Sequence, residues 1–83
     1  MNFEITNTKD INNSRNAVNF VHTLTPFKSN IYIEKEGRRV NAKSILGLLS
    51  AAFVKGETLR IEIFGDDEVV EIKTALEKFF AEE

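Results

Sequence analysis

Two hydrophobic periods alternate along the chain, and each change of period predicts a new element. Phe3 and Ile5 alternate with polar residues near the start, which predicts a short, half-buried strand. The same period of two returns in two later segments, whose apolar positions are Ile31 and Ile33, and then Leu59, Ile61 and Ile63. The last segment is the clearest strand in the chain.

A turn signal divides the middle β segment into a hairpin. Gly37 follows Glu36 and can adopt the positive φ that a tight turn requires. A short third strand is therefore expected from about Arg38 to Asn41.

Three segments have helical spacing instead. The first is capped by Asn13 or Ser14 and ends near Pro26. The second is capped by Ser44 and reaches about residue 52 or 53. The third follows the acidic run Asp66-Asp67-Glu68, whose charges face the positive end of the helix dipole. The apolar stripes of the first and third helices are Ala17, Phe20, Val21 and Leu24, with Phe27 at the edge, and Val69, Ile72, Leu76, Phe79 and Phe80.

The element order β-α-β-β-α-β-α predicts the α+β class. We expect an open-faced sandwich in which three helices cover one face of a four-stranded antiparallel sheet. The polar alternate positions of the strands suit a second face that is left to water. Without a linker or repeat, residues 1–83 are expected to form a single domain.

Composition narrows the possible functions. The chain has 83 residues, no cysteine, a single histidine and a net charge of −2. These values exclude a two-lobed enzyme, disulfides, thiol chemistry and cysteine-based or histidine-rich metal sites. The slightly acidic balance argues against general binding to nucleic acid or membranes. With no signal-like start, no apolar span and no cofactor motif, we expect a cytoplasmic protein without a cofactor.

Several polar residues have a simpler structural explanation than a catalytic one. His22 lies on the polar face of the first helix, where a solvated side chain is expected. The acidic pair Asp66-Asp67 before the third helix is more simply interpreted as capping residues than as a metal or acid–base site. Tyr32 is the only aromatic residue near the basic residues that follow it in the chain, which disfavours an RNA-stacking surface. A basic run could bind phosphate or an acidic partner, or could equally form a solvated hairpin edge: Lys35, Arg38, Arg39 and Lys43.

The middle helix is more apolar than its size requires. At about 100° per residue, its apolar side chains cover roughly 160° of the circumference, wider than a surface helix needs to meet its core. One flank, made of Ile45, Leu46 and Leu49, is therefore a candidate protein-binding patch. The alternative is that a small core uses the whole arc.

Ser44 is a candidate modification site at the start of this helix, beside Lys43. A phosphoryl group there would add about −1.5 to −2 charges near unpaired N–H groups. Such a change would leave the fold intact and alter the surface, as a docking switch requires.

Several segments of the chain match one known pattern: Phe27 to Glu34, Gly37, and Val40 to Ser50, continued by Lys55-Gly56, Glu57 to Ile63 and Gly65 to Glu68. Through them, essentially the whole chain resembles the HPr family, the small phosphocarriers of the bacterial phosphoenolpyruvate-dependent sugar phosphotransferase system. The most specific part of this resemblance is the Lys-Ser-Ile-x-Gly segment that starts at Lys43. The resemblance implies the same β-α-β-β-α-β-α open sandwich.

One loop departs from the family pattern Gly-x-His-Ala-Arg-Pro-Ala, whose histidine accepts phosphate from enzyme I and passes it to enzyme II components. Arg15 and Ala17 are retained, but Ile11, Asn13 and Asn16 replace the glycine, histidine and proline. An imidazole offers a nitrogen lone pair, whereas that of an amide is delocalised into its carbonyl. Asn13 is therefore not expected to carry phosphate.

The resemblance instead implies a regulatory role through Ser44. That serine aligns with the one phosphorylated by HPr kinase/phosphorylase, after which the protein binds a LacI-type catabolite control repressor as corepressor. Relatives that lack the histidine and keep the serine are catabolite repression HPr-like proteins. The implied partner surface comprises Arg15, Lys43, Ile45, Leu46 and Leu49, where the two leucines replace methionines common in the family.

Two alternatives remain open. The protein could still be a phosphocarrier that exchanges phosphate with enzyme I or enzyme II components. It could also be a diverged scaffold that binds an unrelated partner, for example through the basic hairpin.

Overall fold

The computed structural model describes residues 1–65 and 67–82 and has the predicted element order. The strands are β1 (Asn2–Thr6), β2 (Asn30–Lys35), β3 (Arg38–Asn41) and β4 (Thr58–Phe64), and the helices are α1 (Ser14–Leu24), α2 (Ile45–Ala51) and α3 (Val69–Ala81). Helix α2 ends slightly earlier than expected, because Ala52 adopts a left-handed conformation with φ of 56°. Within the described part of the chain, no helix has the length and hydrophobicity needed to cross a membrane.

The four strands form one antiparallel sheet in the order β1-β4-β2-β3. The register of β2 against β4 pairs Ile33 with Ile61 and Ile31 with Ile63. Paired residues lie on the same face of a sheet, so these four side chains share one face. These side chains are buried with the apolar residues of all three helices in one cluster. The predicted open-faced α+β sandwich is therefore confirmed.

The β2–β3 connection is the predicted two-residue turn. Glu36 and Gly37 both have positive φ, 51° and 78°, between the paired residues Lys35 and Arg38. Two consecutive left-handed residues match the twist of the flanking strands, which explains why a glycine occurs in this turn.

The N-cap position of α3 is taken by Glu68 rather than by the pair Asp66-Asp67 that was expected to cap the helix. The Glu68 side chain makes no capping bond. Its carboxylate instead accepts hydrogen bonds from the backbone N–H groups of Lys28 and Ser29 and from the Ser29 hydroxyl, each at 2.8 Å. These bonds, chiefly that from the hydroxyl, lower the pKa of Glu68 below its ordinary value. Asp66 lies outside the described residues.

The second face of the sheet carries an aromatic and ionic cluster that the sequence did not reveal. The ring of Tyr32 lies 5.8 Å from that of Phe64, and Arg39 contacts the Phe64 ring, so the prediction that Tyr32 is the only aromatic residue near the basic run is wrong. Arg39 lies 5.4 Å from both rings and pairs with Glu62 at 2.9 Å. Glu62 is buried beneath this layer, although it lies on the face expected to meet water.

Candidate functional site

Ser44 occupies the N-cap position of α2, as predicted. Its backbone is extended, and its Oγ accepts a hydrogen bond from the N–H of Gly47 at 3.0 Å. The Ser44 carbonyl accepts the first intrahelical bond, from Leu48. The side chain is half-buried rather than enclosed. Since Oγ acts as the acceptor in the capping bond, its own proton is not used by that bond.

The hydrophobic flank of α2 is only partly exposed. Leu46 is 78% exposed and Ile45 38% exposed, both directly after Ser44 in the chain. Leu49 packs against the core, and Leu48 is fully buried. The exposed part of the predicted patch therefore consists mainly of Ile45 and Leu46, which we call the α2 patch.

Lys43 is engaged with the loop between α1 and β2. Its ammonium group donates to the backbone carbonyl of Phe27 and, at 3.0 Å, to that of Ser29. The same loop is held from its N–H groups by Glu68. In this state Lys43 joins α2 to the loop, and a role in binding a partner would require it to exchange these carbonyls for a new acceptor.

In the loop that departs from the family pattern, each of the three replaced residues makes a hydrogen bond that holds the loop in place. Ile11 is fully buried, and its N–H donates to the carbonyl of Phe53 at 2.9 Å. Asn13 caps α1, its Oδ1 accepting from the N–H of Asn16 at 2.9 Å. The side-chain amide of Asn16 donates to the carbonyl of Asp10 at 2.8 Å. The capping bond needs an N–H at position 16, which a proline would lack.

Arg15 is exposed and lines an open cleft of about 810 Å³ beside the start of α1. Asn13, Lys9 and Lys55 also line this cleft, whereas Ser44 is not among its lining residues. Sequence reasoning missed both lysines. Lys55 is far from position 13 in the chain, and Lys9 lies four residues before it in a loop without a periodic pattern. The structure therefore brings Arg15 together with the Asn13 loop but not into one cleft with Ser44.

The remaining candidates have structural roles in the described chain. His22 is exposed on α1, as predicted. Lys35 donates to the carbonyls of Ala51 and Ala52 at the end of α2 and pairs with Glu57. Together with the contacts of Arg39 and Lys43, this means that three of the four cations of the basic run bind within the protein, which favours the structural explanation of that run. Among residues 1–65 and 67–82, no group of three side chains could hold a metal ion.

Comparison with known proteins gives one consistent result. The family model described as the PTS HPr component phosphorylation site matches residues 1–82. The HPr-like protein Crh of Halalkalibacterium halodurans is 47% identical over 55 residues, 66% of this chain and 66% of that relative, just under two thirds of its length. The HPr-like protein Crh of Bacillus subtilis is 41% identical over 68 residues, 82% of this chain and 75% of the relative.

A solved structure agrees with this result. The crystal structure of HPr-C-His from Thermoanaerobacter tengcongensis superimposes with a TM-score of 0.77 at 36% identity. The match covers 100% of this chain and 96% of the other. The resemblance and the fold that it implied are confirmed, and these relatives are named HPr or HPr-like proteins rather than enzymes.

Proposed function

The chain belongs to the HPr family, and we propose that it is a regulatory member that is phosphorylated on Ser44 and carries no phosphate at position 13. The observation that carries this proposal is the contrast between the two helix starts. Ser44 is a half-exposed hydroxyl beside the exposed α2 patch. Asn13 is an amide already bonded on both sides within its loop.

The chemistry of position 13 supports loss of histidine phosphotransfer. A phosphoacceptor needs an available lone pair, and the amide nitrogen of Asn13 has none to offer. That nitrogen also donates to the Asp10 carbonyl at 3.4 Å, while the amide oxygen caps the helix. Because Ile11 and Asn16 are equally built into the loop, the three replacements form one structural unit rather than three unrelated losses.

The position of Ser44 supports a docking switch. A phosphoryl group there would place about −1.5 to −2 charges next to Ile45 and Leu46. A partner would then meet a strong anion and a small apolar patch side by side, which together give more specificity than either alone. We propose HPr kinase/phosphorylase as the modifying enzyme and a LacI-type catabolite control repressor as the partner, both in the cytoplasm.

The proposed contact residues differ in how directly a partner could reach them. Ile45 and Leu46 form the centre of the partner surface, and Leu49 supports them from the core side. Arg15 is an exposed cation of the cleft at Asn13, so its contact with the partner would fall outside the α2 patch. Lys43 joins the partner surface only when released from the carbonyls of Phe27 and Ser29.

A phosphocarrier role is the second candidate, and the open cleft at Asn13 is the observation that favours it. Arg15, Lys9 and Lys55 give that cleft cations that could attract a phosphoryl donor. With an amide at position 13 and no imidazole among the residues that line the cleft, however, no covalent acceptor is available on the histidine pattern.

One experiment separates the two. The protein is incubated with HPr kinase/phosphorylase and ATP, and in parallel with enzyme I and phosphoenolpyruvate, and intact mass is recorded. We expect one phosphoryl group in the first reaction and none in the second. Ser44→Ala should abolish the first modification, whereas Ser50→Ala, which removes an exposed hydroxyl of the same helix, should not. Acid-labile phosphate from the enzyme I reaction would replace this proposal with the phosphocarrier role.

A repressor-binding measurement completes the test. The phosphorylated protein should bind the repressor, and the unmodified protein should bind more weakly. Leu46→Ala should reduce this binding without changing the extent of phosphorylation. Equal binding of both forms would contradict the switch.

A further inference from the structure

We propose that Gly47 is a positioning residue that keeps the Ser44 hydroxyl in the orientation and the space that phosphorylation requires. This inference rests on the proposed function of Ser44. It concerns a residue with no reactive group, three positions further along the chain, whose only contribution is the absence of a side chain.

The backbone does not demand a glycine at this position. Gly47 lies inside α2, and it is not among the glycines with positive φ. Glycine in a helix interior is less favourable than alanine, because it loses more conformational freedom on folding. A helix of only seven residues therefore contains a residue that weakens it. The space around position 47, rather than its backbone conformation, therefore explains the glycine.

That space is limited on two sides. A β-carbon at position 47 would lie 3.2 Å from Oγ of Ser44 and 3.2 Å from Cγ1 of Val40. It would also lie 3.4 Å from the β-carbon of Ser44. The first two distances are shorter than ordinary van der Waals contact, so one of the two neighbours would have to move.

Ser44 is the neighbour that can move. Val40 is only 6% exposed, belongs to the core cluster and is paired with Ile33 in the β2–β3 ladder. Displacing it would disturb a close-packed interior. Ser44 is half-buried and needs only a small change in χ1. An alanine at position 47 would therefore displace Oγ by a few tenths of an ångström, lengthen its 3.0 Å bond with the N–H of residue 47 and fill part of the space beside the hydroxyl.

The orientation of Oγ matters for the transfer step. In that step, Oγ attacks the γ-phosphorus of ATP, its proton passes to a base of the kinase, and the bond between that phosphorus and the bridging oxygen breaks to release ADP. Attack requires Oγ to lie in line with the leaving oxygen. A small displacement of a nucleophile has a large effect on the rate, of about a hundredfold for about 1 Å.

The test compares the wild type with Gly47→Ala in the kinase reaction with ATP. We expect kcat/KM for the protein substrate to fall by about threefold to tenfold, with KM for ATP unchanged, because the displacement of Oγ is a fraction of 1 Å. Circular dichroism and thermal unfolding verify that the variant is folded. Ser50→Ala is the matched control, because it also raises helix propensity in α2 without crowding Ser44. A wild-type rate for Gly47→Ala would overturn the inference.

A second variant tests the two-sided contact. Val40→Ala removes Cγ1, so in the Val40→Ala/Gly47→Ala double variant the new β-carbon gains room without moving Ser44. The effect of Gly47→Ala on the phosphorylation rate should therefore be smaller in the Val40→Ala background than in the wild type. Failure of this rescue in a folded double variant would also overturn the inference.

A measurement without the kinase distinguishes failure of this inference from failure of the proposed function. Three-bond NMR couplings report the χ1 angle of Ser44 in the wild type and in Gly47→Ala. We expect the couplings to change. Unchanged couplings overturn the inference even if Ser44 is phosphorylated. An unphosphorylated wild type removes the proposed function even if the couplings change.

Discussion

At the scale of single residues, the loop before α1 shows how one substitution depends on another. Asn13 caps the helix only because residue 16 has an N–H to donate. A chain with proline at position 16 would offer Asn13 no such partner. The two replacements are therefore physically coupled, and each is best understood in the presence of the other.

This coupling predicts a non-additive pair of mutations. Asn13→Ala should lower the free energy of unfolding by about 1 kcal/mol, the usual cost of losing an N-cap. Asn16→Pro should cost at least as much, since it removes the same bond from the other side and also the bond from the Asn16 amide to the Asp10 carbonyl. The double variant should be less destabilised than the sum of the two, by about 0.5 kcal/mol or more. Urea unfolding measures all three.

Asn12→Ala is the matched control, because Asn12 is exposed in the same loop and should change stability by less than about 0.5 kcal/mol. Strict additivity of the Asn13 and Asn16 variants would show that the capping bond does not link them in solution.

At the scale of elements, α2 has one apolar face that packs against the core and another that is exposed, within seven residues. Leu48 is fully buried, and Leu46, two positions earlier, is 78% exposed. Two residues correspond to about 200° around a helix, so these side chains point in nearly opposite directions. The wide apolar arc of α2 is therefore shared between the core and the surface.

This division predicts opposite outcomes for two alanine substitutions. Leu48→Ala should destabilise the protein by about 2–5 kcal/mol, because it leaves a cavity in the core. Leu46→Ala should change stability by less than about 0.5 kcal/mol while weakening the proposed binding of the phosphorylated protein to the repressor. Thermal unfolding and a binding titration measure the two effects. Similar destabilisation by both substitutions would mean that the whole arc serves the core.

Local periodicity explains why the elements could be predicted and some contacts could not. The alternation around Ile61 and the cap at Ser44 depend on neighbours within a few residues, and the structure has both. The Arg39–Glu62 pair depends on which strands lie side by side, because it joins β3 to β4 across β2. No pattern within either strand specifies that contact.

The same limit applies to the candidate site. The position of Ser44 at a helix start followed from local sequence, whereas the engagement of Lys43 did not. Its partners, the carbonyls of Phe27 and Ser29, come from a loop that precedes it by more than ten residues. Backbone carbonyls leave no side-chain signal, so the sequence could not indicate that this cation already has acceptors.

At the scale of the whole molecule, Glu68 joins segments that lie far apart in the chain. Its carboxylate connects the start of α3 to the loop before β2, across 39 residues in the case of Ser29. Lys43 contacts the same loop from the start of α2. The loop is thus held from both sides: a carboxylate accepts from its N–H groups, and an ammonium group donates to its carbonyls.

This arrangement predicts a specific dependence of stability on pH. The pKa of Glu68 in the folded protein is lowered, first by the Ser29 hydroxyl and then by the backbone N–H of Ser29. A carboxyl whose pKa is lower when folded than when unfolded stabilises the fold fully above its unfolded pKa, near 4.5. That stabilisation is lost as the pH falls through the folded pKa.

Glu68→Gln should therefore lower Tm at neutral pH and make Tm less sensitive to acid below about pH 4.5. The amide retains an oxygen acceptor but lacks the charge that strengthens the bonds from Lys28 and Ser29. Glu77→Gln, at an exposed position of α3, should leave the acid dependence close to that of the wild type. Thermal unfolding followed from neutral to acidic pH makes the comparison. If Glu68→Gln loses stability in acid as steeply as the wild type, the carboxylate does not hold the loop in solution, and Lys43 alone must restrain it.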